Sequence, residues 1–282
     1  MVKQSKSIQI KGRLMSFDVP KVMGILNLTP DSFYQGNRKS NESDVFALVE
    51  KMVSEGADII DVGAISTRPG SEEISMDEEK KRLFSVLPQL CGRFPEIPFS
   101  IDTFRAEIAE EAVACGAAII NDISGGIMDE GMPETIAKLQ IPYILMHMRG
   151  TPQTMTKLTQ YERFPEDVIV ELSRKIRRFR LAGVNDLIVD PGFGFAKTIE
   201  QNFEMFEKLE HFQCFDGPLL VGISRKKTIY QTLGTTVEEA LNGTTYLHAI
   251  ALEKGANILR VHDVKAAVEC VKMHAALKKI PL

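Results

Sequence analysis

The amino-acid sequence predicts an α/β fold, a (β/α)8 TIM barrel preceded by an N-terminal β-hairpin. Eight short apolar runs, each bounded by turn residues, alternate along the chain with segments of helical periodicity. This alternation is typical of βα units and a parallel sheet. Eight parallel strands in 282 residues fit a closed barrel, and an open doubly wound sheet is the alternative.

The elements can be assigned in order from the N-terminus. Residues 7–19 alternate polar and apolar side chains and are predicted to form the hairpin. The barrel strands are predicted at 22–27, 58–62, 99–102, 119–123, 143–147, 187–190, 219–223 and 258–262. Because no Gly/Ser-rich linker and no run of charge divides the chain, residues 1–282 are predicted to form a single domain.

Three similar strings support the assignment of helix ends and strands. EGADIID (55–61), CGAAIIN (115–121) and KGANILR (254–260) each contain a Gly, then an apolar run, then a polar residue five positions after the Gly. The Gly is expected to end a helix, and the polar residue to mark the end of the following strand. Ser75, followed three residues later by Glu78, has the spacing of a capping box at a helix start.

Charge and hydropathy limit the possible partners. A net charge of -4 without a basic block argues against a protein that neutralises a nucleic-acid backbone. The N-terminal residues lack the apolar core of a signal peptide, and no apolar run approaches the roughly 18 to 20 residues of a membrane span. We therefore expect a cytoplasmic protein with small-molecule substrates and neither nucleic-acid nor membrane partners.

Polar residues stand at the end of every predicted barrel strand, where the active site of such a barrel is built. They are Asn27, Asp61, Asp102, Asn121, Asp122, His147, Asp190, Ser224, Arg225, Lys226, Arg260 and His262. Any one of these residues could instead cap a helix or make a loop hydrogen bond. This structural role is favoured over a catalytic one for Asp61 and Asp122. Polar groups at all eight strand ends, however, would cost stability unless a ligand needed them.

These residues suggest a site with two halves. The first half offers acceptors and donors suited to a flat heterocycle with an amino-pyrimidinone edge, from Asp102, Asn121, Asp190 and Lys226. The second half favours an anion. Arg260 and His262 alternate along the last predicted strand, and the loop 66–71 (STRPGS) offers hydroxyls, an Arg and backbone N–H groups to phosphate oxygens.

No recognisable nucleophile motif is present, so a reaction that needs positioning and charge stabilisation is favoured. The spacing of a zinc site is also missing, and His211, His248 and His274 lie on predicted helices. The segment 190–198 (DPGFGFAKT) has two readings of equal weight. Its Phe193 and Phe195 could cap the barrel, or the loop could cover a planar substrate.

Eight ordered motifs give the chain a resemblance to a known family. They are MGILNLTPDSF, GADIIDVGAISTRPGS, SIDTFR, IINDISGG, LMHMRGTPQTM, LIVDPGFGFAKT, GISRKK and RVHD, which cover residues 22 to 263. In this order they resemble the dihydropteroate synthases. Those enzymes join a dihydropterin diphosphate to 4-aminobenzoate by an SN1-like substitution that releases pyrophosphate.

The resemblance implies roles for individual residues. The pterin ring would be bound by Asp102, Asn121, Asp190, Lys226 and Arg260, of which Asp102, Lys226 and Arg260 would be catalytic. The diphosphate would be held by Asn27, Thr67, Arg260 and His262, with Mg²⁺ bridging at Asn27. The 4-aminobenzoate pocket would be formed by Phe33, Thr67, Arg68, Pro69, Phe195, Lys226 and Lys227. The resemblance also implies a homodimer.

Lys227 departs from the pattern of many family members, which have Ser at this position. Residues 225–232 are predicted to open a helix, whose free N–H groups could bind the 4-aminobenzoate carboxylate whatever residue stands at 227. The Lys227 side chain could add a positive charge there or point into water.

Two other functions remain open at this point. A pterin-binding methyltransferase would share Asp102, Asn121 and Asp190 but needs no diphosphate clamp, whereas Arg260, His262 and the loop 66–71 favour the synthase. A non-catalytic pterin-binding barrel would keep the ring pocket and could lose the clamp. Release of pyrophosphate in the presence of both substrates would separate the synthase from both.

Overall fold

A computed structural model of the chain describes residues 6–28, 38–65 and 74–281. The hairpin is its first element. Strands β1 (Ser7–Ile10) and β2 (Arg13–Ser16) pair antiparallel. Lys11 and Gly12 form the two-residue turn with φ values of 47° and 78°, the positive values that match the twist of a hairpin. The predicted hairpin is confirmed, although its second strand ends at Ser16.

The next eight strands form the predicted parallel barrel. They are β3 (Lys21–Asn27), β4 (Ile59–Gly63), β5 (Phe99–Asp102), β6 (Ile119–Asp122), β7 (Tyr143–Met146), β8 (Leu187–Asp190), β9 (Leu220–Val221) and β10 (Ile258–Val261). Each strand pairs parallel with its neighbour, and β10 returns to pair with β3. A parallel bridge between Val189 and Leu219 joins β8 to β9 and closes the ring.

Helices surround the barrel. They are α1 (Arg38–Ser54), α2 (Met76–Phe84), α3 (Leu87–Arg93), α4 (Ala106–Ala114), α5 (Met132–Leu139), α6 (Glu166–Ala182), α7 (Ile199–Glu207), α8 (Lys227–Leu233), α9 (Leu241–Glu253) and α10 (Val264–Lys278). Short 3₁₀ helices lie at Met155–Lys157 and Leu209–Cys214. No helix in the described ranges is long and apolar enough to cross a membrane.

The helix ends follow the sequence signals. Gly56, Gly116 and Gly255 have φ values of 97°, 104° and 92°, the left-handed conformation that ends a helix at low cost for Gly. The Ser75 side chain accepts a hydrogen bond from the Glu78 N–H at the start of α2. The predicted Gly ends and the predicted Ser75 cap are therefore confirmed.

The hairpin closes one end of the barrel. Its Ile8, Ile10 and Phe17 are buried against the apolar side chains inside the ring, among them Met23 and Ile59 near the starts of β3 and β4. A larger core packs the outer faces of the strands against the helices. Because the hairpin fills the amino-terminal end, the carboxyl end is where a substrate can enter.

Five strand predictions differ in length from the structure; β3, β6 and β7 differ by one residue each. β9 covers only Leu220–Val221 of the predicted 219–223, and β10 ends at Val261, so His262 follows the strand. Residues 222–226 lead from β9 to α8, and residues 262–263 lead from β10 to α10.

Candidate active site

The polar residues predicted from the strand ends lie at the carboxyl end of the barrel. Asn27, Asp102 and Asp190 are the last residues of their strands. Asn121 lies within β6 and Arg260 within β10. Since the strands are parallel and adjacent, their ends place these side chains around one opening.

Arg260 connects two carboxylates across the barrel. Its Nε donates to Asp61 Oδ2 at 2.7 Å, and its Nη2 donates to Asp102 Oδ2 at 3.0 Å. Asn121 Nδ2 donates to the same Asp61 oxygen at 3.0 Å. Asp61, for which the sequence favoured a structural role, is thus part of the cluster that contains three of the predicted pterin residues.

Burial sets the electrostatics of this cluster. Burial raises the pKa of Asp102, while the Arg260 guanidinium opposes that rise. For Arg260 itself, burial disfavours the charge, but Asp61 and Asp102 raise the pKa above its ordinary value. The second oxygen of Asp61, Oδ1, is buried without a hydrogen-bond partner among the described residues.

Asp190 and Lys226 are a further carboxylate and ammonium at the opening, and each favours the charged form of the other. Asp190 Oδ1 accepts from the Gly192 N–H at 2.7 Å, and Lys226 Nζ donates to the Phe193 carbonyl. Burial raises the pKa of Asp190, against the nearby Lys226. Burial also lowers the pKa of Lys226 to about 8, against Asp190. Both groups therefore gain from a ligand that supplies hydrogen bonds to their charged forms.

The two phenylalanines of the segment 190–198 have different positions. Phe193 is fully buried, and its ring centroid lies 5.1 Å from that of Phe206 in the core. Phe195 is half-buried, and its ring centroid lies 4.8 Å from Lys226 Nζ, a cation–π distance. Phe193 thus fits the capping interpretation, while Phe195 stands beside the candidate site.

His262 and Arg225 have contrasting positions. The exposed His262 lies with Nδ1 3.1 Å from Ser224 Oγ, on the chain segment that follows β10. Arg225 instead pairs with Asp263 at 2.8 Å and donates to the carbonyls of Val237 and Glu238. Arg225 therefore ties the segment after β9 to neighbouring loops.

Lys226 is the residue before α8, and Lys227 is the first residue of that helix. The predicted helix start is confirmed to within two residues. The Lys227 side chain is exposed.

Asp122 is held by the protein alone. It accepts from the N–H groups of Ser124 and Gly126 at 2.7 and 2.9 Å and from the Tyr143 hydroxyl at 2.5 Å. These bonds agree with the structural role that the sequence favoured. His248 and His274 lie on α9 and α10, and His211 lies on a 3₁₀ helix, as expected.

Four predicted site residues, Phe33, Thr67, Arg68 and Pro69, lie outside the described residues. Their assignment to 4-aminobenzoate and diphosphate binding stays a prediction. In the ranges that are described, no group of three or more His, Cys, Asp or Glu could hold a metal ion.

The sequence analysis did not identify a buried network beside the site. Lys197 Nζ lies 3.0 Å from His147 Nδ1, and His147 Nε2 lies 2.9 Å from Glu171 Oε2. Burial, with the Lys197 charge, lowers the pKa of His147 to about 3, so the imidazole is neutral. Its Nδ1 then accepts from Lys197 while its Nε2–H donates to Glu171. Two of these residues had a sequence signal: His147 stands at a predicted strand end, and Lys197 lies in the glycine-rich segment 190–198.

Comparison with known proteins agrees with this geometry. The model of the pterin-binding enzyme family matches residues 23–262. The chain therefore belongs to the pterin-binding enzyme family. Within that family, the predicted resemblance to the dihydropteroate synthases, which are transferases, is confirmed by individual relatives.

The dihydropteroate synthase of Escherichia coli K12 is 40% identical over 269 residues, which is 93% of this chain and 93% of that protein. A structure of the Yersinia pestis dihydropteroate synthase with a sulfonamide drug has a TM-score of 0.90 at 37% identity, covering 97% of this chain and 99% of that one. The Xanthomonas albilineans dihydropteroate synthase with 4-aminobenzoic acid has a TM-score of 0.91 at 34% identity, covering 99% and 100%.

Proposed function

We propose that this chain is a dihydropteroate synthase that condenses 6-hydroxymethyl-7,8-dihydropterin diphosphate with 4-aminobenzoate. The products are 7,8-dihydropteroate, an intermediate of folate biosynthesis, and pyrophosphate. The observation that carries the proposal is the convergence of Asp102, Asn121, Asp190, Lys226 and Arg260 at one barrel opening. Their donors and acceptors suit a heterocycle with a guanidine-like edge.

The pterin ring would lie between the Arg260 cluster and the side chains of Asp190 and Lys226. The carboxylates of Asp102 and Asp190 accept from ring N–H groups, Asn121 offers both a donor and an acceptor, and Lys226 donates to a ring carbonyl or nitrogen. The planar Arg260 guanidinium would stack on the ring face. Because Asp61 already accepts from Arg260, the guanidinium keeps a fixed orientation when Asp102 turns to the ligand.

The diphosphate would be held by cations and hydrogen-bond donors around Arg260. His262 lies two residues after Arg260, just beyond the end of β10, and an N–H of its imidazole can donate to a phosphate oxygen. Thr67 and Asn27 would complete the clamp. Such groups stabilise the negative charge that develops as the leaving group departs.

The reaction fits an SN1-like course. The C–O bond to the diphosphate breaks first, and its electron pair leaves with pyrophosphate. The remaining carbocation is stabilised by the pterin nitrogens, and the acceptors Asp102 and Asp190 favour the positive charge on the ring. The 4-aminobenzoate amine then forms the new C–N bond and loses a proton. No protein nucleophile is needed.

Mg²⁺ fits the proposed clamp. Mg²⁺ prefers oxygen ligands and is commonly held by one or two protein groups together with substrate phosphates. The half-buried Asn27, at the end of β3, offers one amide oxygen, a ligand of the required type. The ion would supply charge stabilisation to the diphosphate oxygens when bound.

The 4-aminobenzoate pocket would lie at the rim of the opening. Phe195 and the aliphatic part of Lys226 offer an apolar wall for the ring of this substrate. The exposed Lys227 and the start of α8 would meet the carboxylate. Phe33, Thr67, Arg68 and Pro69 would close the pocket, and the Xanthomonas albilineans structure with 4-aminobenzoic acid supports this substrate.

We also propose a cytoplasmic homodimer. Large apolar side chains are exposed on α8, on α9 and on α10, helices that pack on one another: Leu233, Leu241, Tyr246, Met273 and Leu277. Exposed apolar residues on adjacent helices favour association with a second copy.

Product formation tests the proposed function. Purified protein is mixed with the dihydropterin diphosphate and 4-aminobenzoate, and mass spectrometry monitors 7,8-dihydropteroate. A synthase forms this product only when both substrates are present. A methyltransferase or a non-catalytic pterin-binding protein would form none, and that result would reject the proposal.

A further inference from the structure

Lys197 is a buried residue that no proposed substrate contact uses. Burial lowers the pKa of Lys197 well below its ordinary value, but its three hydrogen-bond acceptors match the three N–H groups of the ammonium form. Its side chain is 8% exposed, and its Nζ donates to the carbonyls of Gly192 and Phe195, both at 3.0 Å. The third partner is His147 Nδ1, also at 3.0 Å. Two of the three acceptors belong to the loop 191–196, which directly follows Asp190 at the end of β8.

The same loop is attached from its outer side. The Tyr161 hydroxyl donates to the Ala196 carbonyl at 2.9 Å, and the Arg149 guanidinium lies 3.8 Å above the Tyr161 ring centroid. Arg149 also binds Glu171, the residue that accepts from His147. A continuous set of contacts therefore leads from Lys197 through His147, Glu171, Arg149 and Tyr161 to the Ala196 carbonyl of the same loop.

The conformation of the loop requires such support. Gly192, Gly194 and Ala196 have φ values of 74°, 80° and 49°, so the backbone turns back on itself and aims two carbonyls inward at the Lys197 ammonium. Buried carbonyls need hydrogen-bond donors. A buried ammonium is costly, and its retention here is consistent with a specific task.

The loop in turn positions Lys226. Lys226 Nζ donates to the Phe193 carbonyl, and its Cδ lies 3.2 Å from where a Cβ on Gly194 would stand. The Phe195 ring centroid is 4.8 Å from the same ammonium. A displaced loop would therefore move both Lys226 and Phe195.

We propose that Lys197 is a positioning residue for the active site. Its ammonium fixes the loop 191–196 between His147 and Asp190, and the loop holds Lys226 and the Phe195 ring in their places at the rim. The effect of Lys197 on catalysis rests on the proposed function, whereas its effect on the loop does not.

Hydrogen exchange tests the loop without any substrate. The variant is Lys197→Met, which keeps an unbranched side chain one atom shorter and removes the donor. The amides of Gly192, Gly194 and Phe195 are hydrogen-bonded in the folded protein. Losing a charged donor should speed their exchange by about tenfold to 100-fold. Unchanged exchange of the loop in Lys197→Met would overturn the proposal.

Lys175→Met is the matched control. Lys175 Nζ also donates to backbone carbonyls, those of Ser124, Met146 and Met148, at 2.8, 3.3 and 3.4 Å. These carbonyls are outside the loop 191–196. The control should leave exchange in this loop unchanged, and equal acceleration in both variants would assign the effect to general destabilisation and overturn the proposal.

A double-mutant cycle tests the path through the loop. Lys197→Met should lower kcat/KM for 4-aminobenzoate about tenfold in the native background and less than about twofold in Phe195→Ala, because the aromatic contact is already lost. Lys175→Met should act equally in both backgrounds. Independent effects of Lys197→Met and Phe195→Ala would contradict positioning through this loop.

Two further outcomes are separable. If Lys197→Met does not fold, Lys197→Gln replaces it, because Gln keeps an uncharged donor. Exchange of the loop amides should again be faster than in the native protein, though by a smaller factor. Exchange at the native rate in Lys197→Gln would overturn the proposal. If the native protein forms no dihydropteroate, the proposed function fails, while the exchange measurement still decides whether Lys197 holds the loop.

Discussion

Burial determines the ionisation of Asp190 and Lys226 more strongly than their mutual attraction does. Each of the two residues has its charged form disfavoured by burial and favoured by the other. A ligand that donates to Asp190 and accepts from Lys226 would replace the lost hydration of both. At the residue scale, this is the main physical reason to place the heterocycle here.

Asp190→Asn should weaken pterin binding. The amide can present N–H groups toward the ring hydrogens that the carboxylate accepts, a mismatch of about 1 to 3 kcal/mol. Calorimetry with the dihydropterin diphosphate measures the affinity, and the turnover number should fall in parallel. Native affinity in Asp190→Asn would remove this residue from the pterin site.

The affinity for the pterin should decrease in alkaline solution. The pKa of Lys226 is lowered to about 8, so the ammonium that donates to the ring prevails below this pH and is lost above it. If only the ammonium form binds well, the affinity falls by up to about tenfold per pH unit between pH 8 and 10.

Lys226→Met serves as the control for this pH dependence. It is neutral at every pH, so its weaker binding should lack the alkaline decrease, and any decrease that it shares with the native protein belongs to the ligand. Identical pH profiles for the two proteins would show that Lys226 does not donate to the pterin.

At the scale of elements, the strands and their ends could be predicted because turn residues and buried apolar runs are local signals. The same holds for Ser75 and for the helix-ending Gly56. The short β9 could not be predicted, because its length depends on where the chain turns toward α8. The contacts among Lys197, His147 and Glu171 arise from three different segments, so no local pattern could predict them.

Gly192→Ala tests the close packing of the loop against His147, the residue that follows β7. An added Cβ would lie 2.0 Å from the His147 carbonyl oxygen, and the φ of 74° is unfavourable for Ala. We expect a loss of about 3 kcal/mol or more in the free energy of unfolding, measured in urea. Gly12→Ala has a similar φ of 78° but no atom within 4 Å, so only about 1 to 2 kcal/mol should be lost. Equal losses would contradict the packing argument.

At the scale of the whole molecule, the hairpin closes one end of the barrel and the polar strand ends surround the other. This division of stability and chemistry is typical of the fold. The polar strand ends were predicted from the sequence, whereas the position of the hairpin at the opposite end was not. The single-domain organisation of residues 1–282 stays a prediction. So does the Mg²⁺ at Asn27.

Chelation of divalent ions should lower the rate of the complete reaction. A hard cation on the diphosphate oxygens stabilises the charge of the leaving group, so a chelator in excess should reduce turnover and added Mg²⁺ should restore it. Binding of a pterin without the diphosphate should not respond to the chelator. Full turnover in excess chelator would exclude the proposed metal role.

Pyrophosphate release tests the central claim, that the polar opening of this barrel promotes departure of a diphosphate and its replacement by an amine. The native protein, mixed with both substrates, should release one pyrophosphate for each 7,8-dihydropteroate formed. Arg260→Ala should release it more slowly by about tenfold to 150-fold, since a charge-assisted partner of the phosphate is worth roughly 1.5 to 3 kcal/mol. No pyrophosphate release by native protein that binds both substrates would contradict the account.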